Sequence, residues 1–443
     1  MNSQRVEGAD IGVNSELLIF SPPVTNAGID SINWIDYRPV NQLSEHSSIE
    51  FTVPGSGASY IDLRRSRLYV KAKIVKGDGS AINSAEDSVG PVNLWLHSLF
   101  SQVDVYFQQK LISSSGTTYP YKAMIDTSLN YGSDSRESQL QAALYYKDSA
   151  SGDQYMDAVT FKAMDAVMNT GLKKRAEFTE DSREVDMEGV LTSDVFNLDR
   201  YLINGVEVRI KLFQSKDPFR LMAKDGDKER YKVVLTDCVF KVCKLNLDPG
   251  LLTAHGDTIK TTPAIYPYTK TDLRSFSIAK GTYSIRIDDI FNGTVASKLV
   301  CSMVKASAFS GSYDRNPFNF QHCNIEFIAF YANGQSIPAR GLQPNFEKKN
   351  FIEAYQSVFN GTGLDTKDFG CYSTREEYDQ GNTLMAFCPD GYILTAGDQA
   401  SLRRGNLSLE IRMSKALEEP MTLLVYGSFP SAFQVDASRA VIQ

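Results

Sequence analysis

Histidine is nearly missing from this chain. The four in 443 residues, His46, His97, His255 and His322, stand far apart, with no partner at the spacing of a metal site or a catalytic triad. The six cysteines, Cys238, Cys243, Cys301, Cys323, Cys371 and Cys388, include no CxxC pair, so a zinc finger or ribbon lacks its ligands. No GxSxG, HExxH, GxxxxGK[ST] or GxGxxG segment occurs, which removes the nucleophile elbow, the zincin helix, the P-loop and the dinucleotide-binding turn. No apolar run approaches a bilayer span. Leu17 to Phe20 is too short for the core of a signal peptide, and Glu16 precedes it, so no secretory leader is expected. Positive charge is not in excess either. The net charge is -7, with Lys and Arg interspersed among acids, which argues against a surface that grips nucleic acid non-specifically, although one face could still be basic.

What the chain has in quantity is β chemistry. Its 24 Phe and 22 Tyr, with many Val, Ile and Thr alternations, favour strands. At 42% hydrophobic and 22% charged it has ordinary globular composition, and its length is ample for two domains. Cys238 in VVLTDCVFKV and Cys301 in KLVCSMV sit in apolar, strand-like runs. An even number of cysteines invites a disulfide reading, but the wide spacings favour buried free thiols in a reducing compartment.

The stretch from Pro91 to Gly132 organises the rest. Val103, Val105 and Phe107 alternate with Gln102, Asp104, Tyr106 and Gln108, the period of a half-buried strand. Gln108-Gln109-Lys110 reverses the chain, Leu111 and Ile112 return, and a helical period follows Pro120, with Gly132 placed as a C-cap. The same events recur in NIEFIAFYANGQSIP, where Asn333-Gly334 is a strong hairpin signal, and in NFIEAYQSVFNG, a helix ending in glycine. Gly205 to Lys216 and Gly405 to Lys415 form a second matching pair, each a glycine-led alternating strand. Both pairs recur at an offset of about 200 residues, so the chain reads as two copies of one all-β unit.

In order along the chain, residues 1–44 read as an N-terminal arm with Pro22-Pro23 in the middle and apolar anchors in SELLIFSPPV and INWIDYRPV. Such an arm suits docking on a neighbouring subunit or folding back on its own domain. Residues 45–248 form the first unit. Within it, 133–181 is a long insertion with helices expected around Leu140 to Tyr145 and from Asp157 to Met168, and Arg220 to Arg230 is a charged, exposed loop. Residues 249–270 read as a linker, rich in Thr, Pro and Gly. Residues 271–433 form the second unit, with a hairpin turning at Lys280-Gly281 and a short helix at Thr374 to Asp379, and 434–443 is a tail. The expected fold is all-β: two tandem eight-stranded sandwiches with helical loop insertions, either jelly rolls or another Greek-key arrangement.

Candidate chemistry is thin. His97, in NLWLHSLF, reads as a satisfied core or interface group. Asp288-Asp289 with Glu326 could form a carboxylate pair, but adjacent acids after a strand usually mark an exposed turn. Lys173-Lys174-Arg175 reads as a solvated loop, with an inward contact to nucleic acid as the alternative. The lack of any catalytic constellation moves weight to a structural or binding protein.

Four segments carry a resemblance: VGPVNLWLHSLFSQVDVYFQQKLISSSGTTYPYKAMIDTSLNYG, GLKKRAEFTEDSREVDMEGVL, YLINGVEVRIKLFQSKDPFRLM and RNPFNFQHCNIEFIAFYANGQSIPARGLQPNF. With them the chain resembles, over about residues 45 to 435, the double jelly-roll major capsid proteins of Polinton (Maverick) elements and Polinton-like viruses, found integrated in invertebrate genomes and belonging to the lineage of adenovirus hexon. The resemblance implies a structural, non-enzymatic protein without cofactor, metal or small-molecule substrate. It implies a homotrimer of pseudo-hexameric outline that tiles an icosahedral virion shell beside penton and minor capsid proteins, and it leaves room for contact with an internal membrane or the genome. The alternatives are a minor capsid or penton protein, or a host-domesticated β-sandwich that binds a ligand. Trp34 and Tyr37 in the arm, with Trp95 and Phe100 beside the opening strand, are the expected contact residues between subunits.

Overall fold

The computed structural model describes residues 28–44, 47–84, 86–149, 169–223, 230–365, 370–389 and 402–443. Eight strands form the two main sheets of the first half: β1 (Ile29–Tyr37), β2 (Ile49–Val53), β3 (Tyr60–Lys76), β4 (Phe100–Phe107), β5 (Lys110–Ser114), β6 (Val185–Gly189), β7 (Val208–Gln214) and β8 (Tyr231–Leu247). Eight more form those of the second: β9 (Ala264–Ile278), β10 (Ser284–Ile287), β11 (Lys298–Lys305), β12 (Ile325–Ala332), β13 (Gln335–Leu342), β14 (Met385–Phe387), β15 (Leu407–Met413) and β16 (Met421–Val435). The longer helices, each of nine residues or more among those described, are α1 (Tyr119–Asn130), α2 (Thr170–Phe178), α3 (Pro249–Thr258) and α4 (Ile352–Thr362).

The sheets repeat strand for strand. In the first half the orders are β1-β8-β3-β6 and β2-β7-β4-β5. In the second they are β9-β16-β11-β14 and β10-β15-β12-β13, with Val441–Ile442 added alongside β16. Adding eight to each label of the first half gives the second. Two four-stranded sheets with this winding make a jelly roll, so the chain is two jelly rolls in tandem.

Local chemistry explains the match. Leu68, Val70, Ala72 and Ile74 of β3 are buried while Tyr69, Lys71 and Lys73 are only partly so, the alternation of a strand with one face on a core. The β4–β5 hairpin turns through Gln108 and Gln109 at φ 48° and 66°, and the β12–β13 hairpin through Asn333 and Gly334 at 51° and 83°. Two successive positive φ values suit the right-handed twist of flanking strands. Asn-Gly takes them readily. Gln-Gln does not, and Gln108 is held there by its backbone N–H on Glu207 O (3.1 Å) and its amide on Gly205 O (2.7 Å).

Several expectations are corrected. Ile29–Tyr37, within the expected arm, follows the second of its two readings and folds back on its own domain as the edge strand β1, paired with β8 from Ile29↔Leu247 to Tyr37↔Phe240. Polar and apolar side chains lie on both of its exposed faces, so it carries no alternation to read. Residues before Gly28 lie outside those described. The expected linker contains α3, opened by Pro249 and capped by the Asp248 side chain on the N–H groups of Gly250 and Leu251, and β9 already starts at Ala264. The segments around Lys280-Gly281 form no hairpin. β9 pairs with β16 and β10 with β15, so the turn is a crossover between sheets, where long-range ladders outweigh a local return. Thr374 to Asp379 is a series of turns rather than a helix. The tail runs back: β16 extends to Val435 and Val441–Ile442 pairs with it. α1 ends at Tyr131 in extended conformation, not at a glycine, and α4 ends at Gly363 (φ 73°) rather than Gly361. The expected helix from Asp157 to Met168 lies outside the described residues.

Candidate assembly surfaces

Polar side chains from the loops and helices of one jelly roll close onto the other. On α1, Lys122 reaches Asp126 (2.9 Å), Asp194 (3.2 Å) and the carbonyl of Thr192 (3.2 Å). Asp194 accepts from the backbone N–H of Thr271 on β9 (3.1 Å), and Asp126 accepts from the hydroxyl of Tyr426 on β16 (2.7 Å). Burial opposes the Lys122 ammonium, but the two carboxylates outweigh it and hold its pKa above the ordinary lysine value. Nearby, Phe433 of β16 packs edge-on against Phe107 of β4 (5.3 Å) and parallel to Tyr266 (4.8 Å). The ring of Tyr121 is enclosed by Phe219, Phe309 and Phe318 at 5.8, 5.4 and 5.8 Å.

The long insertion of the first half is a second clasp. Arg175 of α2 is fully buried, donating to Pro91 O (2.9 Å), Tyr146 O and Asp148 (2.6 Å). Asp148 also accepts from Asn169 (2.8 Å) and from Asn316 of the second half (2.9 Å). Arg136 donates to the carbonyls of Cys371 and Tyr372, and Lys147 pairs with Glu377 at 2.6 Å. The basic triplet is therefore no solvated loop. Lys173 and Lys174 are exposed on a helix, while Arg175 is a core ion-pair partner. Arg220 is corrected likewise. It is buried and bonded to Asp217 (2.7 Å), and residues 224–229 of the expected charged loop lie outside those described.

His97 is buried, with its Nδ1 2.8 Å from the Tyr119 hydroxyl, which also accepts from Thr192 N–H (3.2 Å). The hydroxyl proton is thus free for Nδ1, the pairing of a neutral imidazole. Burial, aided by the charge of Lys122, pushes the pKa of His97 down to about 4. Asp288 and Asp289 sit in a turn where Asp288 pairs with Arg286 (3.4 Å) and Asp289 accepts from Gly293 N–H (2.6 Å). Among the described residues no group of three or more His, Cys, Asp or Glu could hold a metal ion. No disulfide joins the six cysteines, and Cys238, Cys243 and Cys301 are buried thiols.

The expected contact residues divide. Trp95 lies in a buried helical turn, Trp95–Ser98, and Phe100 opens β4. Both are 0% exposed, so neither has surface to offer a neighbour. The apolar run around them marks the core, not a contact. Trp34 and Tyr37 lie on β1. There Ile32, Trp34 and Ile35 are 42%, 46% and 40% exposed, and no described residue pairs with the outer edge. Arg65 lies over the Trp34 ring (5.9 Å) and Lys244 over Tyr37 (5.4 Å). The counterpart edge, β9, exposes Thr269, Lys270, Arg274, Ser275 and Ser277 along its middle. Charge of that kind protects an edge from pairing. β1 exposes Ile32, Trp34 and Ile35 among Asp30, Asn33 and Asp36.

The fold defines the class: this chain is an all-β double jelly-roll protein. It is similar along its whole length to a chain of the Sputnik virophage (TM-score 0.56, 10% identity, covering 100% of this chain and 94% of that one). It is likewise similar to the mavirus major capsid protein (0.53, 14%, 100% and 96%) and the Faustovirus major capsid protein (0.54, 8%, 96% and 92%). By sequence it is 24% identical over 435 residues to an uncharacterised protein of Caenorhabditis elegans, covering 94% of this chain and 98% of that one. No family model matches the chain.

Proposed function

We propose that this chain is a major capsid protein: three copies form a capsomer of pseudo-hexameric outline, and capsomers tile an icosahedral shell. The observation that carries this reading is the duplication. Eight strands followed by the same eight in the same sheet order give one chain two equivalent sandwiches, so three chains present six. Full-length likeness of fold to the mavirus and Faustovirus major capsid proteins supports it. The role is structural rather than catalytic, the principal partner is the chain itself, with penton and minor capsid proteins beside it, and the place of work is the virion.

Within this reading the outer edge of β1 is a contact between copies. A long unpaired edge strand with exposed large apolar side chains is a site for pairing or burial, and Trp34, with Tyr37 beside it, is its aromatic anchor. The test is mass by light scattering on the purified chain, followed by negative-stain imaging of the same peak. A particle of three times 49.3 kDa with hexagonal outline, or closed shells, is expected. A monomer at all concentrations overturns the reading, and a pentamer redirects it to a vertex protein. Trp34→Asp should shift the mass towards monomer while leaving the thermal midpoint of the folded chain in place.

A further inference from the structure

We infer that the outer face of the β1-β8-β3-β6 sheet is the seat of helix α4 from a second copy of the chain, so that the seam between the two jelly rolls of one chain recurs between chains. The inference rests on the capsomer reading and deepens it by naming the two faces that meet.

One such seam is already made inside the chain. The β9-β16-β11-β14 sheet turns one face to its own core and the other to the first jelly roll. On that second face Ser428 of β16 stands opposite Thr271 of β9 and Lys298 of β11, with Tyr426 two residues along. α1 lies over them. Its Asp126 takes the Tyr426 hydroxyl, and Lys122, Asp126 and Asn130 line one cavity of about 350 Å³ with Lys298, Tyr426 and Ser428. Strands covered on both faces lose their alternation. Accordingly β11 is buried without a break from Leu299 to Val304, and β16 from Met421 to Phe429. α1 is sunk as deeply, with ten of its twelve residues buried.

The duplicated parts lack that cover. In β3, the counterpart of β11, Leu68, Val70 and Ala72 are buried while Tyr69, Lys71 and Lys73 stay partly open on the outer face. β8, the counterpart of β16, adds Val239 opposite Tyr69 and Lys241 opposite Arg67, and Val239 is buried yet lies outside the continuous core. α4 follows β13 as α1 follows β5. It buries only four of its eleven residues and exposes Ile352, Glu353, Gln356 and Asn360 as one stripe at helical spacing. Beside the stripe a groove of about 630 Å³ opens between α4 and β13, walled by Ile337, Pro338 and Leu342.

Each chain thus carries one complete seam and the two unused halves of another, on different jelly rolls. Joining unlike patches of successive copies is a heterologous contact, the kind that builds a ring. Charge fits the pairing. Lys71 and Lys73 on the sheet and Glu353 on the helix have no ion pair among the described residues, and opposite charges left unpaired on two faces favour their encounter.

The experiment uses the full chain. Light scattering on the parent comes first, and a parent that stays monomeric at every concentration overturns this inference and the capsomer reading together. In the Tyr69→Cys/Gln356→Cys chain, a short bis-maleimide followed by peptide mapping should join the two introduced thiols, in a product at the mass of two or more chains on a denaturing gel. With an associating parent, a link between them at the mass of one chain, a link between the Gln356→Cys sites of two copies, or no link overturns this inference alone. Charge supplies a second readout. Glu353→Lys should weaken association by about tenfold, and adding Lys71→Glu and Lys73→Glu to that chain should restore it in part, with the thermal midpoint close to the parent's throughout. Association unmoved by Glu353→Lys, or no recovery in the combined chain, overturns the pairing of these faces.

Discussion

The hydroxyl of Tyr426 donates to Asp126 across 2.7 Å, joining residues 300 positions apart in sequence and belonging to different jelly rolls. Asp126 also pairs with Lys122, whose other carboxylate, Asp194, is tied to β9. Tyr426→Phe should remove one hydrogen bond and cost about 1–2 kcal/mol. Asp126→Asn weakens the compensation of a buried ammonium and should cost about 3 kcal/mol. Because the two bond to each other, the double variant should fall short of the sum by at least about 0.5 kcal/mol. Chemical denaturation of the four chains measures this, and strict additivity would show that the contact does not couple the halves.

His97 sets an acid limit. The unfolded chain takes up the imidazole proton as pH falls through about 6.5, while the folded chain keeps His97 neutral down to about 4. Between those values the unfolded state binds more protons, so stability declines as pH falls and the loss from this group is complete below about 4. The full shift corresponds to roughly 3 kcal/mol. The His97→Gln chain, with an amide that does not titrate, should lose less stability than the parent between pH 7 and 4. Parallel stability curves for the two chains over that window would refute the assignment.

How far the sequence reaches depends on how local each cause is. The β4–β5 and β12–β13 hairpins were legible because turn and alternation lie within about fifteen residues. The duplication followed from them, and each strand of the two four-stranded sheets in one half has its counterpart in the other. β1 was not legible, since an edge strand exposed on both faces has no alternation to show. Trp95 and Phe100 were misjudged because an apolar run looks the same whether it meets a neighbour or its own core. Arg175 was opaque for another reason. Its partners, Pro91, Tyr146 and Asp148, lie 84, 29 and 27 residues away, and nothing in KKRAE announces them.

That buried arginine should be intolerant of substitution. Arg175→Ala leaves the Asp148 carboxylate in the interior with only the amides of Asn169 and Asn316, a loss of about 3–5 kcal/mol. Arg175→Lys should recover little, since one ammonium on a flexible stem does not match three acceptors arranged around a planar fork. Limited proteolysis should then open the insertion first, and cleavage at the β3 or β8 strands before the insertion would contradict this role.

Trp95 and Trp34 make opposite predictions. The Trp95 side chain is wholly buried, and its indole N–H has no hydrogen-bond partner among the described residues. Trp95→Ala should cost about 3–5 kcal/mol through the cavity it leaves. Trp95→Phe keeps an aromatic ring and removes a buried unsatisfied donor, whose burial costs about 1–3 kcal/mol, so the lost volume and the relieved donor should nearly cancel. Trp34→Ala acts on an exposed edge and should change stability by no more than about 0.5 kcal/mol, while weakening self-association. Denaturation and light scattering on the same samples separate the two: Trp95 variants should move the first readout and Trp34 variants the second. A Trp95→Phe chain that folds stably yet fails to associate would return Trp95 to the contact surface and show that the buried turn opens on assembly.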